Sequence, residues 1–134
     1  MSSLVQNISF DANDAYAQSV FWDQVLRDFA PDPDDPNEPG HEECGLVGPD
    51  GRTSILFLEV PEAKTVKNRA HLCLTPADRT RDEEVERLLA LGATMYDDRR
   101  NDDGTGWAVL ADPEGNEFCV LRSDAERQRS APQA

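Results

Sequence analysis

The sequence is poor in positive charge: 13 Lys and Arg residues stand against 27 Asp and Glu, for a formal net charge of −14. An excess of that size repels phosphate backbones and anionic lipid headgroups, which excludes nucleic acid and membrane surfaces as partners. Long apolar runs are also missing. The densest, Ile55 to Leu58, is far too short to cross a bilayer, and Met1 to Phe10 has no basic start followed by an apolar stretch. A cytoplasmic protein is expected. Cysteine is scarce: Cys44, Cys73 and Cys119 form an odd set with no short-spaced pair, against both a disulfide framework and a CxxC zinc knuckle. No GxGxxG fingerprint, Walker loop or nucleophile elbow occurs, so nothing supports nucleotide-dependent chemistry.

What is present suits one compact domain. A chain of 134 residues can remove roughly two thirds of its unfolded surface from water, so folding requires neither metal nor disulfide. Val5 to Phe10 reads as a half-buried strand, with Ile8 and Phe10 on one face and Asn7, Ser9 and Asp11 on the other. Asp11 or Asn13 can cap a helix in which Ala17, Phe21, Val25 and Phe29 recur at near-helical spacing, so the helix is expected to run to Phe29 with Phe21 and Trp22 in the core. Four prolines among acidic residues then make 31–40 a surface loop. His41 beside Glu42, Glu43 and Cys44 reads as solvated loop charge. Glu43 to Gly48 and Arg52 to Val60 form a hairpin across Pro49-Asp50-Gly51.

Residues 61–69 read as a connector, and the same order then returns. A short strand over 70–75 precedes a helix that Thr80-Arg-Asp-Glu83 opens as a capping box, with Val85, Leu88 and Leu89 on one face and Gly92 as its stop. Gly106 to Ala111 and Asn116 to Leu121 make a last hairpin across Asp112-Pro-Glu-Gly115. Gly45-Leu-Val-Gly-Pro-Asp-Gly51 and Val109-Leu-Ala-Asp-Pro-Glu-Gly115 both set an apolar strand before a Pro-acidic-Gly turn. They suggest a diverged duplication with a period of about 60 residues.

Three segments taken in order carry a family resemblance: Phe10-Asp-Ala with Phe21-Trp22 and Val25-Leu26, Val60 to His71, and Asp112 to Leu121. Together they resemble a glyoxalase-like domain of the vicinal oxygen chelate (glyoxalase/bleomycin resistance/dioxygenase) superfamily. The resemblance implies an α+β fold in which two tandem βαβββ modules form a curled mixed sheet around one cavity. On that expectation residues 1–122 are a single domain, with module one at 4–60, the connector at 61–69, module two at 70–122, and 123–134 a flexible C-terminal tail. It also implies a small-molecule ligand, a homodimer, and in many relatives a divalent metal (zinc, nickel, iron or manganese) that chelates vicinal oxygens.

The ligand positions implied by the resemblance match Asn7, Leu58, His71 and Cys119. Leucine cannot coordinate and an amide oxygen replaces imidazole poorly, so the familiar metal site is degenerate and only His71, with Cys119, keeps ligand chemistry. Alternation puts Glu117 on the face of Cys119, and Cys73 on that of His71. Two readings remain open. His71 and Cys119, with Glu117, form an unorthodox zinc site; or Cys119 is a small buried hydrophobe and His71 a hydrogen-bonded cavity residue, with Cys73 inert packing. Glu117 and His71 are the candidate proton-transfer groups. Asn7, Leu58, His71, Cys119 and Trp107, a stacking wall or rim residue, are expected to line the cavity. Lys64, Lys67 and Arg69 either steer an anion to its mouth or pin the connector to acidic neighbours. The expected function is small-molecule binding; its rival is a metal-dependent lyase, isomerase or dioxygenase acting on a vicinal-oxygen substrate, with true glyoxalase I activity not expected.

Overall fold

The computed structural model describes residues 2–130, and the chain divides after Lys64 into two compact units. Among the described residues, the first combines a mixed sheet with one helix and the second a mixed sheet with two, so the class is α+β. None of the described helices is long and apolar enough to cross a membrane.

The first unit contains β1 (Asn7–Ala12), α1 (Ala15–Val25), β2 (Glu43–Val47) and β3 (Ser54–Glu59). β3 lies between the other two strands, parallel to β1 and antiparallel to β2. A parallel pair needs a long crossover, which α1 and the loop after it supply. The register puts Phe10, Ile55, Phe57, Cys44 and Leu46 on one face. Ile55, Phe57, Cys44 and Leu46 are buried there, together with Phe21, Trp22 and Val25 of α1, whereas Phe10 is half-buried and Ile8, on the same face, is exposed. Asn7, Ser9, Asp11, Leu56 and Leu58 occupy the other.

Three local expectations for this unit need correction. β1 starts at Asn7, two residues later than the apolar pattern suggests. The cap of α1 is Asp14, whose carboxylate accepts from Ala17 N at 3.0 Å. Asn13 is occupied elsewhere, donating its amide to the carbonyls of Val60 and Glu62 at 2.9 Å. The helix also stops at Val25, well short of Phe29, because Leu26 is extended (φ −96°, ψ 128°). Ala30 then exchanges two backbone hydrogen bonds with Val47, and Pro31 disfavours helical geometry in the residue before it. That isolated bridge is all the described residues offer where a βαβββ module would have its first strand after the helix. The prolines beyond it cannot donate to a ladder, so two strands follow α1 instead of three.

The second unit contains β4 (Leu72–Leu74), α2 (Arg81–Leu91), β5 (Thr94–Arg100), β6 (Gly106–Ala111), β7 (Glu117–Val120) and α3 (Asp124–Ser130). Its strand order is β4-β7-β6-β5, with β4 parallel to β7 and the other pairs antiparallel. α2 opens as expected: Thr80 Oγ1 accepts from Glu83 N and Glu83 Oε1 accepts from Thr80 N. Gly92 closes it at φ 121°. Val85 and Leu88 of α2 are buried, as are Ala108, Leu110, Phe118 and Val120 of the sheet.

Two elements here carry no apolar signal. β5 reads Thr-Met-Tyr-Asp-Asp-Arg-Arg, has a register shift between Met95 and Asp97, and is braced by ion pairs between Arg99 and Asp97 and between Arg100 and Asp98. The polar stretch from Ser123, expected to be flexible, contains α3. Ser123 Oγ accepts from Glu126 N, and Glu126 Oε2 accepts from Ser123 N at 2.7 Å and from Arg81 N at 2.8 Å. The Ser123-Asp-Ala-Glu126 pattern is a capping box, a legible signal for this helix. Residues 131–134 of the expected tail lie outside the described residues.

Candidate functional site

Successive residues of a strand point to opposite sides of a sheet, so the pairing in the second unit decides which side chains gather. Cys73 pairs with Cys119, Cys119 with Val109, Val109 with Asp97, and Trp107 with Arg99. Opposite residues share a face, so these side chains project away from the buried face that carries Leu110, Phe118 and Val120. Cys119, Val109, Asp97, Trp107 and Arg99 border a pocket of about 280 Å³ whose lining also includes Lys67, His71, Tyr96 and Glu117. Trp107 and Tyr96 are 42% and 52% exposed, so both rings are walls of the pocket and not core.

Asn68 ties the connector to this sheet. Asn68 donates its backbone N–H to Glu117 Oε2 at 3.1 Å and its side-chain amide to Asn116 Oδ1 at 2.8 Å. Asn116 is itself fixed by the turn, donating its amide to Asp112 Oδ2 at 3.1 Å and its backbone N–H to Asp112 Oδ1 at 2.9 Å. Asp112, Asn116 and Glu117 are all buried. Buried polar groups persist when they are mutually satisfied, and this network sets where the chain enters β4, three residues before His71.

A second anchor sets the opposite rim. The buried Arg81 guanidinium donates through one nitrogen to the carbonyls of Gly104, Thr105 and Gly106 at 3.2, 2.9 and 3.0 Å, and through Nε to Asp82 at 3.0 Å. Gly106 has φ +86°, and a Cβ there would come within 2.1 Å of the Arg99 carbonyl oxygen. Only glycine fits, and Trp107 follows directly.

Among the described residues one group could hold a metal ion: His71, Cys73 and Cys119, whose ligand atoms all lie within 4.8 Å of one another. Burial and the adjacent Cys73 thiol push the Cys119 thiol up to about 11, against a weaker pull from Lys67. Cys73 is exposed, which corrects its reading as inert packing. Glu117 does not belong to the trio.

Of the residues singled out from the sequence, His71, Cys119, Glu117 and Trp107 line this one pocket. Asn7 and Leu58 lie in the first unit, on the less buried face of its sheet, and Asn7 Nδ2 donates to Ser9 Oγ at 2.7 Å. The four-position His/Glu metal set does not fit this chain: Leu58 has no donor atom, and the ligand atoms that gather are two sulfurs and an imidazole nitrogen. His41 lies on the loop within 3.6 Å of Glu38, as expected for solvated charge. Of the basic residues in the connector, Lys67 lines the pocket.

In each unit a parallel pair brings the first and last strands side by side and an antiparallel strand flanks the last, a topology that defines a class of α+β domains. A family model for the glyoxalase-like domain matches residues 7–121, and the chain belongs to that family. Solved structures with the same fold include a glyoxalase/bleomycin resistance protein/dioxygenase family enzyme from Burkholderia phytofirmans, 22% identical over 88% of this chain and 97% of that one (TM-score 0.61). Fosfomycin resistance protein FosX from Listeria monocytogenes, an E126Q mutant complexed with Mn(II) and 1S,2S-dihydroxypropylphosphonic acid, is 17% identical over 97% and 98% (TM-score 0.65). A possible glyoxalase from Bacillus cereus is 14% identical over 90% and 99% (TM-score 0.61). A comparison with curated proteins gives no match.

Proposed function

We propose that this protein binds a small organic molecule with a flat apolar part and an anionic group, seated on the open face of the second unit's sheet. The observation that carries this reading is the pocket itself: two exposed aromatic rings, Trp107 and Tyr96, flank an apolar floor at Val109 beside the Lys67 ammonium. Exposed aromatic planes in a concave site favour a stacked, planar ligand. The other pocket charges are engaged locally. Arg99 Nε donates to Asp97 at 2.7 Å, and Glu117 accepts from Asn68 N. Among the described residues Lys67 makes a long 3.4 Å hydrogen bond to the Asn68 carbonyl, so its ammonium is the cation best suited to an anionic group, in a chain whose overall charge would otherwise repel one.

Intrinsic fluorescence tests the reading, because Trp22 is buried and Trp107 reports the pocket. Salicylate and benzoate are the anionic probes, catechol and benzyl alcohol the neutral ones. Saturable quenching by an anionic probe, lost in Trp107→Phe and weakened about tenfold in Lys67→Met, is expected. If no probe quenches saturably or raises the melting temperature, the reading fails.

One observation favours a second reading, a metal-dependent lyase, isomerase or dioxygenase acting on vicinal oxygens. His71, Cys73 and Cys119 lie together, and His71 and Cys119 border the same pocket as Glu117, which leaves Glu117 as its proton-transfer group when His71 holds the metal. Turnover of a vicinal-oxygen substrate that requires stoichiometric metal would support it over simple binding.

A further inference from the structure

We propose that His71, Cys73 and Cys119 form a two-sulfur, one-nitrogen site for zinc whose fourth coordination position faces the pocket. His71 and Cys119 fill two of the positions implied by the family resemblance, but Cys73 has no place in that set, and all three donors belong to the second unit. The inference is independent of whether an organic molecule binds.

The placement follows from strand geometry. Cys73 and Cys119 are direct partners in the parallel β4–β7 ladder, so their thiols leave the sheet on the same side. His71 precedes Cys73 by two positions and joins them on that side, bringing all three ligand atoms within 4.8 Å. Around tetrahedral zinc, with bonds of about 2.0 Å to nitrogen and 2.3 Å to sulfur, donor atoms sit roughly 3.5 Å apart. His71 and Cys73 are both exposed, and modest side-chain rotation closes the difference.

The chemistry of the donors selects the ion. Two thiolates neutralise a divalent charge, and thiolate with imidazole favours zinc over manganese or magnesium, which prefer oxygen. Three protein ligands leave a position for water or a ligand. The competing explanation, cysteine as a small buried hydrophobe, accounts for Cys119 but not for Cys73, an exposed thiol on an edge strand beside an exposed imidazole. Binding is a proton exchange without redox: each thiol gives up its proton to the solvent as its sulfur bonds to the metal, two protons per ion, while neutral imidazole donates a lone pair.

The test uses the full chain, stripped with a chelator and kept reduced under anaerobic conditions. Titration with cobalt(II) should give a thiolate-to-cobalt charge-transfer band that saturates at one ion per chain and disappears when zinc is added, with two protons released. Cys73→Ser and His71→Ala should each weaken zinc binding by about 100-fold or more, whereas Cys44→Ala should leave it unchanged. Circular dichroism would verify that the variants fold. A missing band, a band that persists in Cys73→Ser, manganese(II) bound as tightly as zinc, or a Cys73–Cys119 disulfide that survives reduction would each overturn the proposal.

Discussion

Cys73 lies directly opposite Cys119 across the parallel pair of β4 and β7, yet the two thiols differ in surroundings: Cys73 is exposed and Cys119 is 6% exposed. Burial and the neighbouring sulfur push Cys119 up to about 11, and burial also raises Cys44. The thiolate is the nucleophile, so reactivity follows both access and ionisation.

Iodoacetamide at pH 8 should therefore alkylate Cys73 first, leaving Cys119 and Cys44 largely unmodified until the chain is unfolded. Peptide mass spectrometry over a time course measures this. Labelling of Cys119 as fast as Cys73 would contradict the burial described.

Arg81 holds three carbonyls of the loop that leads into Trp107. Arg81→Met removes the shared donor and should cost about 2–3 kcal/mol in urea denaturation, with a shift in Trp107 emission. Arg81→Lys should recover only part of that loss, because a single ammonium cannot reproduce the planar fork.

Gly106→Ala would drive a Cβ to within 2.1 Å of the Arg99 carbonyl at φ +86°, whereas Gly51, at φ +71°, has nothing within 4 Å of the same added atom. Gly51→Ala should cost about 1 kcal/mol, the left-handed backbone penalty alone. Gly106→Ala should cost clearly more, above about 2 kcal/mol, and should speed amide exchange along β5 and β6. Equal costs at the two positions would refute the close approach.

Acid should weaken the fold through particular carboxylates. The Thr53 hydroxyl, with the Arg52 and Thr53 amides, holds Asp50 down to about 2, and the Arg100 guanidinium does the same for Asp98. A folded-state value below the ordinary 3.8 means that the unfolded chain takes up protons first, so these contributions are present above about pH 4 and are lost as pH falls toward 2. Melting temperature against pH should fall less steeply over that window in the Asp50→Asn/Asp98→Asn double variant. An unchanged slope would assign acid sensitivity elsewhere.

Local rules carried much of the fold. The capping box at Thr80 and Glu83 and the hairpins around Gly51 and Gly115 depend on residues a few positions apart, so they can be read without knowing the rest of the chain. Strand alternation likewise sets Glu117 with Cys119 and His71 with Cys73, because a period of two belongs to the strand itself. β5 was not legible, since its charged side chains pair with one another instead of filling a core. The early end of α1 was hidden as well, because it follows from Ala30 bonding to Val47 far along the chain.

The sequence by itself determined which residues share a strand face and where α2 starts, since those follow from spacing and from side chains reaching their own backbone. Only the tertiary structure decided that β4 would lie against β7 in a register that sets Cys73 beside Cys119, and that Asn68 would be tied to Glu117. Pairing between distant strands is chosen by how whole faces bury against α2 and by which buried polar groups find partners, and no short window of residues contains that information.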